Sequence, residues 1–136
     1  MLSFEIESYK VSTYIQRLTS GSVFERTLEL KSVPLMHGSI RDQVSVILGF
    51  QTGFSGVVGF TAVGYLTTAP PSSTILGWLD LNEFNYYYDI LRSEKPVLFF
   101  YELTDGSRSS GYLRRLGLGT SNEEIGEGPA DMTPSR

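Results

Sequence analysis

Two segments that are apolar on both of their strand faces constrain this chain more than any other feature. Residues 57–66 place Val58, Phe60 and Ala62 on one face and Val57, Val63 and Tyr65 on the other. Val97–Leu103 sets Val97, Phe99 and Tyr101 against Leu98 and Phe100. A strand of this kind sits centrally and is covered on both sides. Only one other segment reads as a helix, so most of the cover has to come from a sheet that curls on itself, a second sheet or a partner chain.

The remaining segments read as strands that are wet on one side. Tyr9, Val11 and Ile15 alternate with Lys10, Ser12 and Gln16, and Thr19-Ser20-Gly21-Ser22 supplies turn formers. Beyond the turn, Phe24, Leu28 and Leu30 share a face opposite Glu25, Thr27, Glu29 and Lys31. This is the pattern of a hairpin with one buried and one solvated face. Phe4 and Ile6 are out of phase with Tyr9 and Val11, which predicts a bulge near Glu7-Ser8. A polar connection with Pro34, His37 and Gly38 leads to a strand in which Val44, Val46, Leu48 and Phe50 alternate with Gln43, Ser45, Ile47 and Gly49. Gly59 and Gly64 allow sharp bending in the strand that follows. Residues 69–73, Ala-Pro-Pro-Ser-Ser, form a stiff loop, and residues 75–81 form a strand carrying Trp78, the sole tryptophan. Tyr112, Leu116 and Leu118 mark a last strand, in a second hairpin with Val97–Leu103.

One helix is expected over about 82–94. Asp80 and Glu83 have capping-box spacing, and Phe84, Tyr87, Tyr88 and Leu91 follow at i, i+3, i+4 and i+7. Arg92 and Lys95 suit the negative end of the helix, and Pro96 stops it. Three consecutive tyrosines are poor helix formers and predict a short helix. The pattern as a whole is that of a mainly β domain, residues 1–120: an antiparallel barrel, or a strongly curved sheet or sandwich, of about seven strands with one short α-helix. Residues 121–136, with little to bury beyond Ile125 and Met132, are expected to be a disordered acidic tail.

Charge and composition narrow the function classes. The tail carries four acidic residues against Arg136, whereas residues 1–120 carry ten basic and eleven acidic ones. So neutral a folded part argues against binding nucleic acid through a basic face. There are no cysteines, which excludes disulfides, thiol catalysis and cysteine zinc sites. No apolar run is long enough for a membrane-spanning helix, and the first residues lack the order of a signal peptide, so the expected location is the cytoplasm.

No residue group is framed by a catalytic or metal-binding motif. His37 is the single histidine, so one chain cannot build a multi-histidine metal site, and its Pro- and Gly-bearing surroundings suit a solvated loop residue. Glu102, among Phe99, Phe100 and Tyr101, would gain a raised pKa if buried, but a turn follows and favours a solvent-facing strand end. Asp80 and Glu83 are accounted for by helix capping. The spacing of Gly49, Gly53, Gly56 and Gly59 fits no phosphate-binding loop. What remains are surfaces: the ring-rich Tyr86, Tyr87 and Tyr88, with Trp78, and the basic cluster Arg108, Arg114 and Arg115. The expectation is a non-catalytic binding or assembly module that contacts a protein partner or copies of itself, with no metal or cofactor. The alternative is a small barrel holding a small apolar or aromatic ligand. An enzyme working through carboxylates comes third.

Overall fold

The computed structural model describes residues 2–12, 16–17, 23–53, 62–104 and 110–120. It is a closed seven-stranded barrel with one helix packed across one end. The strands are β1 (Leu2–Ser12), β2 (Gln16–Arg17), β3 (Val23–Phe24), β4 (Arg26–Ser32), β5 (Leu35–His37), β6 (Ile40–Asp42), β7 (Ser45–Gln51), β8 (Gly64–Thr67), β9 (Thr74–Asp80), β10 (Val97–Leu103) and β11 (Gly111–Thr120). The barrel order is β1-β10-β11-β8-β9-β7-β4, with β4 returning to β1, while β2–β3 and β5–β6 form separate two-stranded ribbons. Neighbours are antiparallel except β7 and β9, which pair in parallel from Ser45↔Thr74 to Gln51↔Asp80. The chain between them, residues 52–73, carries β8 to the far side of β9, as a parallel pair requires a crossover.

Alternation places the core where it was expected. Leu28 and Leu30 of β4, Val46, Leu48 and Phe50 of β7, Ile75 of β9, Phe99 of β10 and Leu113 of β11 are completely buried inside the barrel. Phe4 stacks on Phe99 at 5.5 Å between ring centroids. Gly64 and Gly77 sit opposite each other on β8 and β9, and neither position has room for a side chain. A Cβ on Gly77 would lie 2.6 Å from Leu48 Cδ2 and 2.9 Å from Leu116 Cδ2, and one on Gly64 would strike the Leu76 carbonyl oxygen.

The bulge expected near Glu7-Ser8 is present as a register shift between Ile6 and Ser8. It divides β1 in two: Leu2 to Glu5 pair with β10, and Ile6 to Ser12 pair with β4. Tyr9 and Val11 lie opposite the core residues Leu30 and Leu28, yet they are 38% and 36% exposed. The reason is that β10 begins at Val97 and does not reach far enough to cover them. Thr27, expected on the wet face, is fully buried, and its hydroxyl has no hydrogen-bond partner among the described residues. The connection around Pro34 and Gly38 contains the β5–β6 ribbon, which turns through Gly38 at φ 67°. The segment 54–61, the loop 105–109 and the expected tail 121–136 lie outside the described residues.

Both ends of the barrel are closed. At one end a 3-10 turn (Leu81–Glu83) leads into α1 (Phe84–Ser93). Half of the expected capping box forms: Asp80 Oδ1 accepts from Asn82 N at 2.8 Å, while Glu83 enters α1 without a side-chain cap bond. With its 3-10 turn the helical segment runs from Leu81 to Ser93, in agreement with the short helix expected over about 82–94. Phe84, Tyr87 and Leu91 are buried against the barrel mouth, with Phe84 and Tyr87 edge-on to Phe50 at 5.2 and 5.9 Å. Tyr88, the fourth member of the stripe, is only half-buried, stacked on Phe84 and edge-on to Tyr9.

At the other end the closure is polar. Asp42, 2% exposed, accepts from Ser73 N at 3.1 Å and from Ser73 Oγ at 2.8 Å. Ser73 Oγ in turn accepts from Ala69 N, and Gln43 N donates to the Pro71 carbonyl. Ser32 Oγ accepts from Val44 N and donates to the Val33 carbonyl, and Gln43 Nε2 donates to the Ser32 carbonyl. The loop 69–73 is thus bound to the segment leading into β7 both by the Asp42 carboxylate and by backbone bonds, Gln43 N to the Pro71 carbonyl and Ser45 N to the Ser73 carbonyl.

Candidate functional site

Many inward side chains of the described strands are fully buried, and the outer face of the wall carries apolar side chains as well. The outward side chains of four neighbouring strands line up across the wall. Ile47 of β7 is opposite Leu76 of β9, Leu76 is opposite Tyr65 of β8, and Tyr65 is opposite Tyr112 of β11. Their sequence neighbours Val46, Leu48, Ile75, Leu66 and Leu113 point inward and are buried, so period-two alternation turns this row outward. Ile47, Leu76 and Tyr65 are half-buried and Tyr112 is 37% exposed. The Tyr65 and Tyr112 rings meet edge-to-face at 4.8 Å. Such a cross-strand aromatic pair fixes both rings against the sheet and presents a rigid apolar surface. Trp78, half-buried, lies on the same face of β9 as Leu76, two residues along and opposite Gly49.

A small charged cluster borders this row on β10 and β11. Glu102 receives a 2.7 Å bond from Arg114 and an ion pair at 3.5 Å from Arg115, which is its cross-strand partner. A register shift between Glu102 and Leu103 brings both arginines to the one carboxylate. The hydrogen bond from Arg114 is the main force holding the Glu102 carboxyl below its ordinary pKa, and the charges of both arginines add to it. A carboxylate kept ionised and occupied in this way is poorly suited to act as a general acid or base, so the raised pKa considered for Glu102 does not arise. Because Glu102 neutralises part of the cluster, Arg114 and Arg115 do not form a strongly basic patch.

The sequence-derived candidates therefore fall in two places. Trp78, Arg114 and Arg115 belong to the outer wall beside the aligned row. Tyr86, Tyr87 and Tyr88 belong to the helix at the barrel end and do different jobs there. Tyr87 is buried, and burial, aided by the negative charge of Glu83, pushes its phenol well above the ordinary tyrosine range. Tyr88 carries the Arg92 guanidinium over its ring at 5.1 Å, and Tyr86 is 68% exposed. Arg108 and the side chain of His37 lie outside the described residues. Among the described residues no group of three or more acidic or histidine side chains is placed to hold a metal ion. No described helix is long and apolar enough to cross a membrane.

Ile47, Leu76, Tyr65 and Tyr112 did not stand out in the sequence, because each lies on a different strand and only the pairing register unites them. One signal was available: Ile47 is the single large apolar residue on the face of β7 that otherwise carries Ser45, Gly49 and Gln51. No protein-family model matches the chain, and neither a curated protein nor a solved structure is significantly similar to it.

Proposed function

We propose that this protein is a non-catalytic assembly module that associates with a second copy of itself through the outer wall of β7, β9, β8 and β11. The observation that carries this reading is the in-register row of Ile47, Leu76, Tyr65 and Tyr112. A contiguous apolar strip on a sheet, bordered by charged groups, has the anatomy of a contact surface: an apolar centre with a polar rim. The packed interior, with Phe50, Phe99, Leu48 and Ile75 fully buried, favours this over a barrel that stores a ligand. Two copies facing each other through the same strip would form a two-fold, self-matching interface. Light scattering over a concentration series tests the reading. The expected mass exceeds that of one chain and falls to it in Tyr112→Glu, which places a carboxylate in the strip. A monomer mass for the parent protein throughout the series overturns it.

A further inference from the structure

A second surface, separate from the outer row, lies where β1 loses its neighbour. Beyond Glu5 no described strand pairs with the edge of β1 that faces β10, because β10 begins at Val97 and pairs only as far as Glu5↔Leu98. Residues 7–11 are exposed in succession, which is unusual for a strand within a barrel wall. A cleft of about 460 Å³ runs along this edge, bounded on the other side by the end of α1 and the residues leading into β10. Its lining includes the apolar Ile6, Leu91 and Val97, and the carboxylates of Glu5, Glu7 and Glu94 against the single cation Lys95.

We infer that this edge receives an extended, basic peptide segment, which adds to β1 as a strand in line with β10. The backbone supplies the main affinity, since an edge carries N–H and C=O groups spaced to pair with an incoming chain. Residues 7–12 span about 20 Å at a strand rise of about 3.3 Å per residue, enough for a short ladder. Tyr9 and Val11, turned to the core side but partly exposed, offer apolar contacts to alternate side chains of the incoming strand. The three carboxylates select the sign of the partner: lysine or arginine on the solvent-facing positions is attracted, and acidic residues are repelled. The opposing reading is that the bulge and Lys10 blunt this edge against pairing, as devices of that kind do on other edges.

The test uses the full chain and three labelled hexapeptides read by fluorescence anisotropy: alternating lysine-valine, alternating glutamate-valine, and lysine-valine with alternate backbone amides methylated. Saturable binding of the first is expected, with the other two weaker by at least about tenfold. Glu7→Lys combined with Glu94→Lys should weaken the first peptide by a similar factor, with circular dichroism checking that the fold is retained. Tyr112→Glu should leave peptide binding unchanged, which keeps the result independent of self-association. No saturable binding of the lysine-valine peptide overturns the proposal. So does equal binding of the methylated peptide, which would show attraction without strand addition.

Discussion

The two ends of the barrel solve the same problem with opposite chemistry. A closed sheet leaves its core exposed at both mouths, and each must be stopped. The α1 end uses rings: Phe50, Phe84, Tyr87 and Leu91 pack face and edge, and Arg26 lies over the Phe84 ring at 4.8 Å. The Asp42 end uses directed hydrogen bonds that a buried carboxylate and a buried hydroxyl accept from backbone and side-chain groups. Apolar burial is proportional to area and tolerant of angle, whereas a buried charge is stable only if its bonds are made. The ring end should therefore fail gradually as atoms are removed, and the polar end abruptly once an acceptor is lost.

The largest effect is expected at the ring end. Phe50→Ala removes a fully buried ring that touches both Phe84 and Tyr87, and should cost about 3–5 kcal/mol in chemical denaturation. Tyr86→Ala, one residue from Tyr87 but exposed, should stay within about 0.5 kcal/mol. Equal losses would mean that the helix is held by its polar face and that the contrast between the ends is wrong.

Asp42→Ala comes next. It strips the acceptor from Ser73 N and Ser73 Oγ in a buried site and should cost about 1.5–3 kcal/mol. Tyr101 offers a local reading of the same change. Burial first, and then the charge of Asp42, raise its phenol pKa, so removing the carboxylate should move the Tyr101 titration back towards the ordinary value. A Tyr101 titration unmoved by Asp42→Ala would show that the two groups are uncoupled.

The smallest effect concerns Tyr87 and appears only in alkali. Its folded pKa is raised, so above the unfolded value of about 10 the unfolded chain releases a proton that the folded chain keeps. Its contribution to stability is whole below that pH and declines by at most about 1.4 kcal/mol per pH unit above it. Tyr87→Phe should flatten this part of the alkaline limb of a pH–stability curve. An unchanged limb would place the Tyr87 hydroxyl in water rather than against the barrel.

The ring end was legible in the sequence and the polar end was not. Phe84, Tyr87, Tyr88 and Leu91 announce themselves through helical spacing within eight residues, and Pro96 marks where the helix must stop. Asp42 and Ser73 are 31 residues apart, and nothing local indicates that they meet. The same division runs through the rest of the molecule. Alternation identified β4 and β7, the run apolar on both faces identified β10, and the phase break around Glu7 located the bulge. The parallel pairing of β7 with β9 depends on which strands become neighbours, which local pattern does not encode. Tyr9 and Val11 alternate as buried residues do, but the early start of β10 leaves them uncovered. The candidate site suffered most, since a row such as Ile47, Leu76, Tyr65 and Tyr112 exists only after register is set.

Closure of the wall depends on a short seam. Leu2 to Glu5 meet Leu98 to Tyr101 across nearly the whole length of the folded chain, and these four residue pairs are all that joins β1 to β10. Bringing such distant segments together carries the largest loop-closure entropy in the molecule and is rewarded by few contacts. Local ladders such as β1–β4 and β10–β11 can form early, because their strands are close in sequence. The β1–β10 seam joins the segments most distant in sequence, so a barrel with this connectivity is expected to close there last.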